Sequence, residues 1–173
     1  MRVAYKNWLE TRRNSLYCNG MANTYTQIHI QAVFAVQNRM SLVSKTWREN
    51  LYKYITGIVQ GKGHKLLAIG GMPDHVHLVF GMRPTQALSD LMQDIKGDSS
   101  AWVNQQRLVD GRFSWQEGYG AFSYTRSDVP KVIHYVHNQE THHATIPFLD
   151  EYRHILDSLG IPFEERYLFA PID

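Results

Sequence analysis

Residues 72–80 read Met-Pro-Asp-His-Val-His-Leu-Val-Phe, and this stretch carries the clearest pattern in the chain. A turn is expected at its Pro-Asp pair, and the residues after the turn alternate between polar and apolar side chains. A strand over residues 75–80 directs His75 and His77 to one face and the apolar residues between them toward a core.

The segments on either side predict a regular order of strands and helices. Strands are predicted at 25–36, 65–69, 75–80 and 113–124, with helices at 41–60, 85–105, about 128–143 and about 148–159. A turn is predicted at Gly70-Gly71. The β-α-β-β-α-β order with C-terminal helices is that of the ferredoxin-like (RRM-like) α+β class. Its four-stranded antiparallel sheet can carry helices on one face and leave the other free for a ligand.

The composition predicts one soluble domain. The chain has 173 residues, of which 43% are hydrophobic and 20% charged. We expect a basic N-terminal extension at 1–20 and a single domain at 21–173. Cys18 is the only cysteine, which excludes an intramolecular disulfide and suits a cytoplasmic location. No run of apolar residues is long enough to predict a membrane-spanning helix.

Charge is distributed unevenly along the chain. The net charge is +2, but residues 1–20 carry +3, residues 21–139 carry +4, and residues 140–173 carry −5. A moderately basic body is compatible with a phosphate-backbone partner. An ordinary solvated surface would have the same appearance.

His75 and His77 are the first candidates for chemistry. Their side chains share one face of the predicted strand, about 6–7 Å apart at the backbone, so their imidazoles can converge on one metal ion. The alternative is a pair of polar residues on the solvent-facing side of a half-buried strand.

Tyr135 and Gln139 lie four residues apart on a predicted helix, so they share one face. Alone, Tyr135 is typical of a packing residue with its hydroxyl at the rim. Beside a histidine pair, it becomes a candidate nucleophile for a phosphodiester whose charge a metal neutralises. His75, His77 and the Gln139 amide oxygen are then the predicted ligands, and this mixed set favours Mg²⁺ or Mn²⁺.

Several segments together resemble a known family. They are His75-Val76-His77 within 72–78, Ile95-Lys96-Gly97 with Ser99, Ser100 and Trp102 after it, Trp-Gln-Glu-Gly-Tyr-Gly-Ala-Phe-Ser at 115–123, and 135–140 followed by His142-His143. In this order and spacing they resemble the single-tyrosine transposases of the HUH (His-hydrophobic-His) superfamily. The similar members are the IS200-like TnpA type of small insertion sequences and their REP-associated relatives. The resemblance covers about residues 25–152.

The resemblance implies a transposase that cleaves and rejoins single-stranded DNA at insertion-sequence ends. Tyr135 would attack the scissile phosphate, form a 5′-phosphotyrosine link and release a 3′-OH that can later rejoin DNA. His75, His77 and Gln139 would hold the metal. The implied partners are single-stranded DNA with hairpin ends and a second copy of the chain, whose site the Tyr135 helix can also serve.

Lys96, Ser99 and Arg83 are the candidate DNA contacts. Lys96 lies beside a glycine and two serines, a setting that suits contact with a DNA phosphate. A solvated helix residue needs no such role, so the alternative stays open for Lys96.

Four other positions each allow two interpretations. Asp74 either orients a ligand histidine or serves as a turn residue before the strand. His142 and His143 either lie near DNA or cover a helix end, and the helix end is favoured. His29 is on the polar side of the first strand, where it either borders the site or is simply exposed.

Other functions are compatible with the same pattern. A non-enzymatic RRM-like module would bind nucleic acid on a free sheet face, but it would need aromatic side chains where the third strand has histidines. A domesticated relative that processes REP hairpins, or a replication or mobilisation nuclease, would share the chemistry. Such nucleases usually carry a third histidine at the site, and the sequence predicts none clustered there.

Overall fold

The computed structural model describes residues 25–169, so the predicted extension at 1–20 lies outside the described residues. The strands are β1 (His29–Ala35), β2 (Lys65–Met72), β3 (His75–Gly81) and β4 (Gly120–Tyr124), and the helices are α1 (Arg48–Gly61), α2 (Leu88–Gln105), α3 (Val129–His137), α4 (Gln139–His143) and α5 (Phe148–Ser158). The strands form one antiparallel sheet in the order β2-β3-β1-β4, which confirms the predicted ferredoxin-like α+β class. Between residues 25 and 169, no helix has the length and apolar character needed to cross a membrane.

Helices α1 and α2 cover one face of the sheet. The buried residues on this side include Ile30, Ala32, Phe34, Val76, Leu78 and Phe80 from the strands and Leu51, Ile55, Leu91 and Ile95 from the helices. Removal of these side chains from water stabilises the layer. Tyr54 on α1 is 37% exposed, and its ring stacks on Trp102. Both helices also begin later than predicted, α1 by seven residues and α2 by three.

The opposite face of the sheet, expected to be free, is covered by α3, α4 and α5. Ala35 and Phe148 belong to one buried cluster on this side, and Val79 and Val136 belong to another. The expectation was wrong because residues 32–36 are apolar on both sides of β1, a pattern typical of a strand that is buried on both faces. The histidine pair therefore lies beneath helices.

The fourth strand is shorter than predicted. β4 begins at Gly120 rather than at residue 113, and the segment before it meets the sheet at a bridge between Val36 and Trp115. Phe113 and Trp115 are nevertheless buried, with their rings edge to face at 4.9 Å. Residues 113–115 thus bury alternate side chains without forming a strand. Alternation of apolar residues alone cannot distinguish such irregular backbone from a strand.

β2 continues through Gly70 and Gly71, where a turn was predicted, and ends at Met72. Gly70 faces α3, because a Cβ atom built on it would lie 2.2 Å from the carbonyl oxygen of Val136. The missing side chain lets the backbone of α3 approach the sheet. This close approach seats Tyr135, the neighbour of Val136, over the sheet.

Gly70→Ala is expected to lower the unfolding free energy by roughly 2 kcal/mol, because the new methyl group would push against backbone rather than a movable side chain. The displacement of α3 should also weaken any activity that depends on Tyr135. Chemical denaturation measures the first effect. Gly97→Ala on α2 is the matched control, since its added Cβ would meet no atom within 4 Å and should be neutral or stabilising. Equal stability of the two variants would contradict the close approach.

The predicted helix at 128–143 is two helices. α3 ends at His137, and Asn138 adopts φ −104° and ψ 23° before α4 begins at Gln139. The Asn138 side-chain amide donates to the carbonyl oxygen of His134 at 2.7 Å. Because such a side-chain bond competes with the backbone hydrogen bonds of the helix, asparagine often ends helices. The break redirects α4 so that its residues can reach the covered face of the sheet.

Candidate active site

His75 and His77 project from β3 toward the face covered by the C-terminal helices. Their partners across β1 are Ala35 and Val33, which point to the same side. The two imidazoles are 1% and 0% exposed, and their ring centroids are 5.1 Å apart. Two buried imidazoles of this kind need polar partners, so their surroundings decide what they can bind.

Asp74 fixes the orientation of His75. One carboxylate oxygen lies 2.8 Å from His75 Nδ1, and the other accepts hydrogen bonds from Arg39 at 3.1 and 2.5 Å. Burial disfavours the charged carboxylate, but the hydrogen bonds from His75 and Arg39 outweigh it and lower the pKa of Asp74 to about 2. His75 Nε2 is thereby directed away from Asp74, toward α4 and α5. The structure therefore favours the interpretation in which Asp74 orients a histidine.

Two further residues join the histidine pair, His143 from α4 and Glu151 from α5. The ligand atoms of His75, His77, His143 and Glu151 all lie within 4.8 Å of one another, and we call this group the His₃Glu cluster. Glu151 Oε2 is 3.1 Å from His143 Nε2 and 3.7 Å from His77 Nε2. Such a buried group of three imidazoles and one carboxylate could hold a metal ion.

Burial also affects the protonation of the cluster. It lowers the pKa of His77, and it lowers the pKa of His143 to about 4, with the neighbouring His75 adding to the effect. Both imidazoles are therefore neutral near pH 7, which is the form that binds metal ions. Among residues 25–169, His77 Nε2 and Glu151 Oε2 are buried without a hydrogen-bond partner.

Gln139 lies within the same group. Its side-chain oxygen is 3.3 Å from His75 Nε2 and 3.1 Å from His143 Nε2, and its side-chain nitrogen donates to Glu151 Oε1 at 3.0 Å. The structure thus brings the predicted third ligand to the histidine pair. In this position, Gln139 also cross-links three members of the His₃Glu cluster.

Tyr135 packs beside His77, with the two ring centroids 5.7 Å apart and nearly perpendicular. The Tyr135 ring also lies 5.2 Å from the His142 ring. The Tyr135 hydroxyl is buried, and no group in residues 25–169 forms a hydrogen bond with it. An unpaired buried hydroxyl is costly, so its position next to the cluster calls for a functional explanation.

The predicted DNA contacts do not share this site. Lys96 donates to the carbonyl oxygens of Gln116 and Gly118 at 2.8 and 2.5 Å, and burial lowers the pKa of its ammonium group. Ser99 is fully buried, donates to the Ile95 carbonyl and accepts from the Trp115 indole. Both side chains therefore support the segment before β4.

Arg83 and His29 lie at the far end of the sheet from the histidine pair. Arg83 is exposed and follows the end of β3, whereas His75 begins that strand. His29 pairs with Gly81 and Tyr124 at the same far end, so it does not border the cluster.

The sequence interpretation missed His143 and Glu151. It favoured helix-end coverage for His143 and read Glu151 only as part of an acidic segment. A third histidine is in fact clustered with the pair, contrary to the expectation of none. The only available signal was spacing: His143 follows Gln139 by four residues and so shares its helical face. Nothing in the local sequence of α5 indicated Glu151.

Comparison with known proteins assigns the family. The sequence profile of the family described as "Transposase IS200 like" matches residues 24–139, two thirds of the chain. The chain therefore belongs to the IS200-like transposase family. The matched region contains His75, His77, Tyr135 and Gln139 but ends before His143 and Glu151.

Individual relatives agree with this assignment. The ISDra2 transposase TnpA of Deinococcus radiodurans is 25% identical over 122 residues, which cover 66% of this chain and 87% of that protein. A crystal structure assigned as a transposase of D. radiodurans has a TM-score of 0.52 at 22% identity and covers 71% of this chain and 98% of its own. A REP-associated tyrosine transposase, solved with a REP hairpin, has a TM-score of 0.55 at 14% identity, over 75% of this chain and 76% of its own. These two structures share the fold.

Proposed function

We propose that this chain cleaves and rejoins single-stranded DNA at the ends of an insertion sequence, with Tyr135 as the nucleophile. The observation that carries the proposal is the buried Tyr135 hydroxyl, which lacks a protein partner in the described residues and lies beside His77 and the His₃Glu cluster. A packing tyrosine would place this oxygen in solvent or in a hydrogen bond.

The proposed step exchanges one phosphodiester for another. The Tyr135 oxygen bonds to phosphorus while the bond from phosphorus to the 3′ oxygen of the preceding nucleotide breaks. The phenol loses a proton, and the departing 3′ oxygen gains one, so the products are a 5′-phosphotyrosine and a free 3′-OH. Because bond types are conserved, attack by a 3′-OH on the link rejoins DNA without an external energy source.

His75, His77, His143 and Glu151 would hold a divalent metal, with the Gln139 oxygen as a further donor. His77 Nε2 and Glu151 Oε2, which lack a hydrogen-bond partner within residues 25–169, fit this role, because a bound cation would contact both. A metal bound there would supply charge neutralisation on the phosphate oxygens. Three imidazoles beside a carboxylate favour Mn²⁺ over Mg²⁺, which prefers oxygen donors.

The proposed partners are single-stranded DNA with hairpin ends and a second copy of the chain. The structural relative with a bound REP hairpin supports a hairpin as substrate. The seating of α3 on its own sheet through Gly70 supports a site whose Tyr135 comes from the same chain. A cytoplasmic location, where such DNA is found, belongs to the same proposal.

A domesticated REP-hairpin-processing protein is the second candidate, because one structural relative is a REP-associated tyrosine transposase solved with a REP hairpin. It would use the same residues on a different DNA. The RRM-like binding module is disfavoured, since α3, α4 and α5 occupy the face that such a module would present to bases.

A covalent-trapping assay tests the proposal. The full chain is incubated with single-stranded DNA from the ends of its own element, with Mn²⁺, with Mg²⁺ or with EDTA, and examined on a denaturing gel. We expect a protein–DNA adduct with a divalent metal and none with EDTA. Hairpin binding without an adduct under any metal condition would overturn strand transfer and favour a binding function.

A further inference from the structure

A cavity with polar and apolar walls adjoins the candidate active site. It has a volume of about 630 Å³ and lies between α1, the outer strand β2 and the break between α3 and α4. Its walls include Arg48, Tyr52, Thr56, Gly70, Val136 and Gln139. This size falls in the range of pockets that bind small organic groups. We call it the edge cavity.

Two hydrogen-bond donors in the edge cavity are unused. Tyr52 is 8% exposed, and its hydroxyl is buried without a partner among the described residues. The same is true of Arg48 Nε, one turn earlier on the same face of α1. Burial raises the pKa of Tyr52, so its hydroxyl keeps its proton. Both groups can therefore donate to a ligand that offers acceptor atoms.

The charges around the edge cavity are balanced. Arg48 and Lys53 are opposed by Glu49 and Glu140, and Glu140 is paired with Arg48 at 2.9 Å and with Lys45 at 3.0 Å. Such a lining offers little net attraction for a phosphate group. It suits a neutral, planar group with polar edges and apolar faces, for which Val136 and Ile69 provide apolar walls.

The edge cavity is related to the His₃Glu cluster through two of its wall residues. Gly70 in its wall is the cross-strand partner of His77, and Gln139 lines the cavity while contacting His75. A group bound there would be separated from the His75 imidazole by the Gln139 side chain. One nucleotide of a DNA strand can bridge such neighbouring positions, with its base in one and its phosphate at the other.

We propose that the edge cavity binds one unpaired nucleobase of the DNA strand, adjacent to the phosphate held at the His₃Glu cluster. Tyr52 and Arg48 donate to two acceptor atoms on one edge of the base, as on guanine O6 and N7 or cytosine O2 and N3. This inference rests on the proposed function and adds a base-reading subsite to it. The phosphate remains with the cluster, and the base selects which phosphate is presented.

The test compares Tyr52→Phe, which removes only the hydroxyl, with Tyr54→Phe, an exposed tyrosine on the same helix. Binding is measured by fluorescence anisotropy in EDTA, so that no cleavage occurs. The probes are short single strands of thymidine, of cytidine and of alternating thymidine and guanosine, an abasic strand of equal length, and free dGMP and dCMP. We expect Tyr52→Phe to lower the affinity for at least one base-containing strand about 3- to 10-fold. Its affinity for the abasic strand should be unchanged. Tyr54→Phe should match the wild type throughout.

Equal binding of every base-containing strand by Tyr52→Phe and the wild type would overturn the subsite. If Tyr52→Phe lowers the affinity for free mononucleotides but for none of the strands, the assignment of the subsite to a DNA base would be overturned. A structural defect is distinguished by thermal unfolding, because removal of an unpaired buried hydroxyl should leave stability unchanged or higher. Strand transfer is scored separately by the covalent adduct: an adduct with normal DNA-concentration dependence in Tyr52→Phe would refute the subsite and leave the proposed function intact.

Discussion

Tyr135→Phe should abolish the covalent protein–DNA adduct, with a loss of at least about 10⁴-fold in the rate of its formation. The phenylalanine ring retains the packing against His77 and His142, so the only group removed is the hydroxyl that would bond to phosphorus. Because this hydroxyl has no hydrogen-bond partner in residues 25–169, its removal should leave the unfolding midpoint unchanged or slightly raised. Adduct formation on a denaturing gel and thermal unfolding measure the two effects.

Tyr124→Phe is the matched control for this variant. Tyr124 packs against the same buried cluster as Tyr135 and lines a small cavity with it, and burial raises the pKa of the Tyr124 hydroxyl. This control should form the adduct at the wild-type rate and bind hairpin DNA normally. Retention of the adduct in Tyr135→Phe would refute the nucleophile assignment, and its loss only in Tyr124→Phe would transfer the role to that residue.

The fold was predictable where the sequence pattern is local. The alternation around His75 and His77 predicted β3 and the face of each side chain, because a strand of period two leaves no other choice once Val76 and Leu78 are buried. The order of the elements followed from the same kind of pattern. The end of α3 was not predictable, since a single asparagine at 138 competes with the helix only through its own conformation.

The candidate site was predictable only in part, because half of it depends on tertiary contacts. Strand alternation brings His75 to His77, and helical spacing brings Tyr135 near Gln139. No local pattern states that α5 crosses the sheet face and inserts Glu151 between His77 and His143. Lys96 shows the reverse case, in which a lysine beside small polar residues suggested DNA contact but its ammonium group holds two backbone carbonyls.

His77→Ala should lower the affinity of the metal-free protein for Mn²⁺ by at least about 100-fold, because the proposed ion would lose one donor from the cluster. Calorimetric titration measures this effect without reference to DNA cleavage. Glu151→Gln should lower the affinity about 10- to 100-fold, since it keeps the shape of the side chain but removes the only carboxylate whose oxygen contacts His77 and His143 within the described residues.

His137→Ala is the control for general histidine loss, since His137 is exposed on α3 and outside the cluster. Its Mn²⁺ affinity should equal that of the wild type, and the metal-free unfolding midpoint of each variant separates lost ligands from lost structure. Unchanged affinity in Glu151→Gln together with loss in His77→Ala would exclude Glu151 as a ligand and leave the histidines and Gln139 as the donors. Loss in both variants would instead make α5, which lies beyond the family match, a working part of the metal site. In that case the charge of Glu151 would offset one of the two positive charges of the ion, and its carboxylate would occupy a position that the DNA phosphate must share or displace.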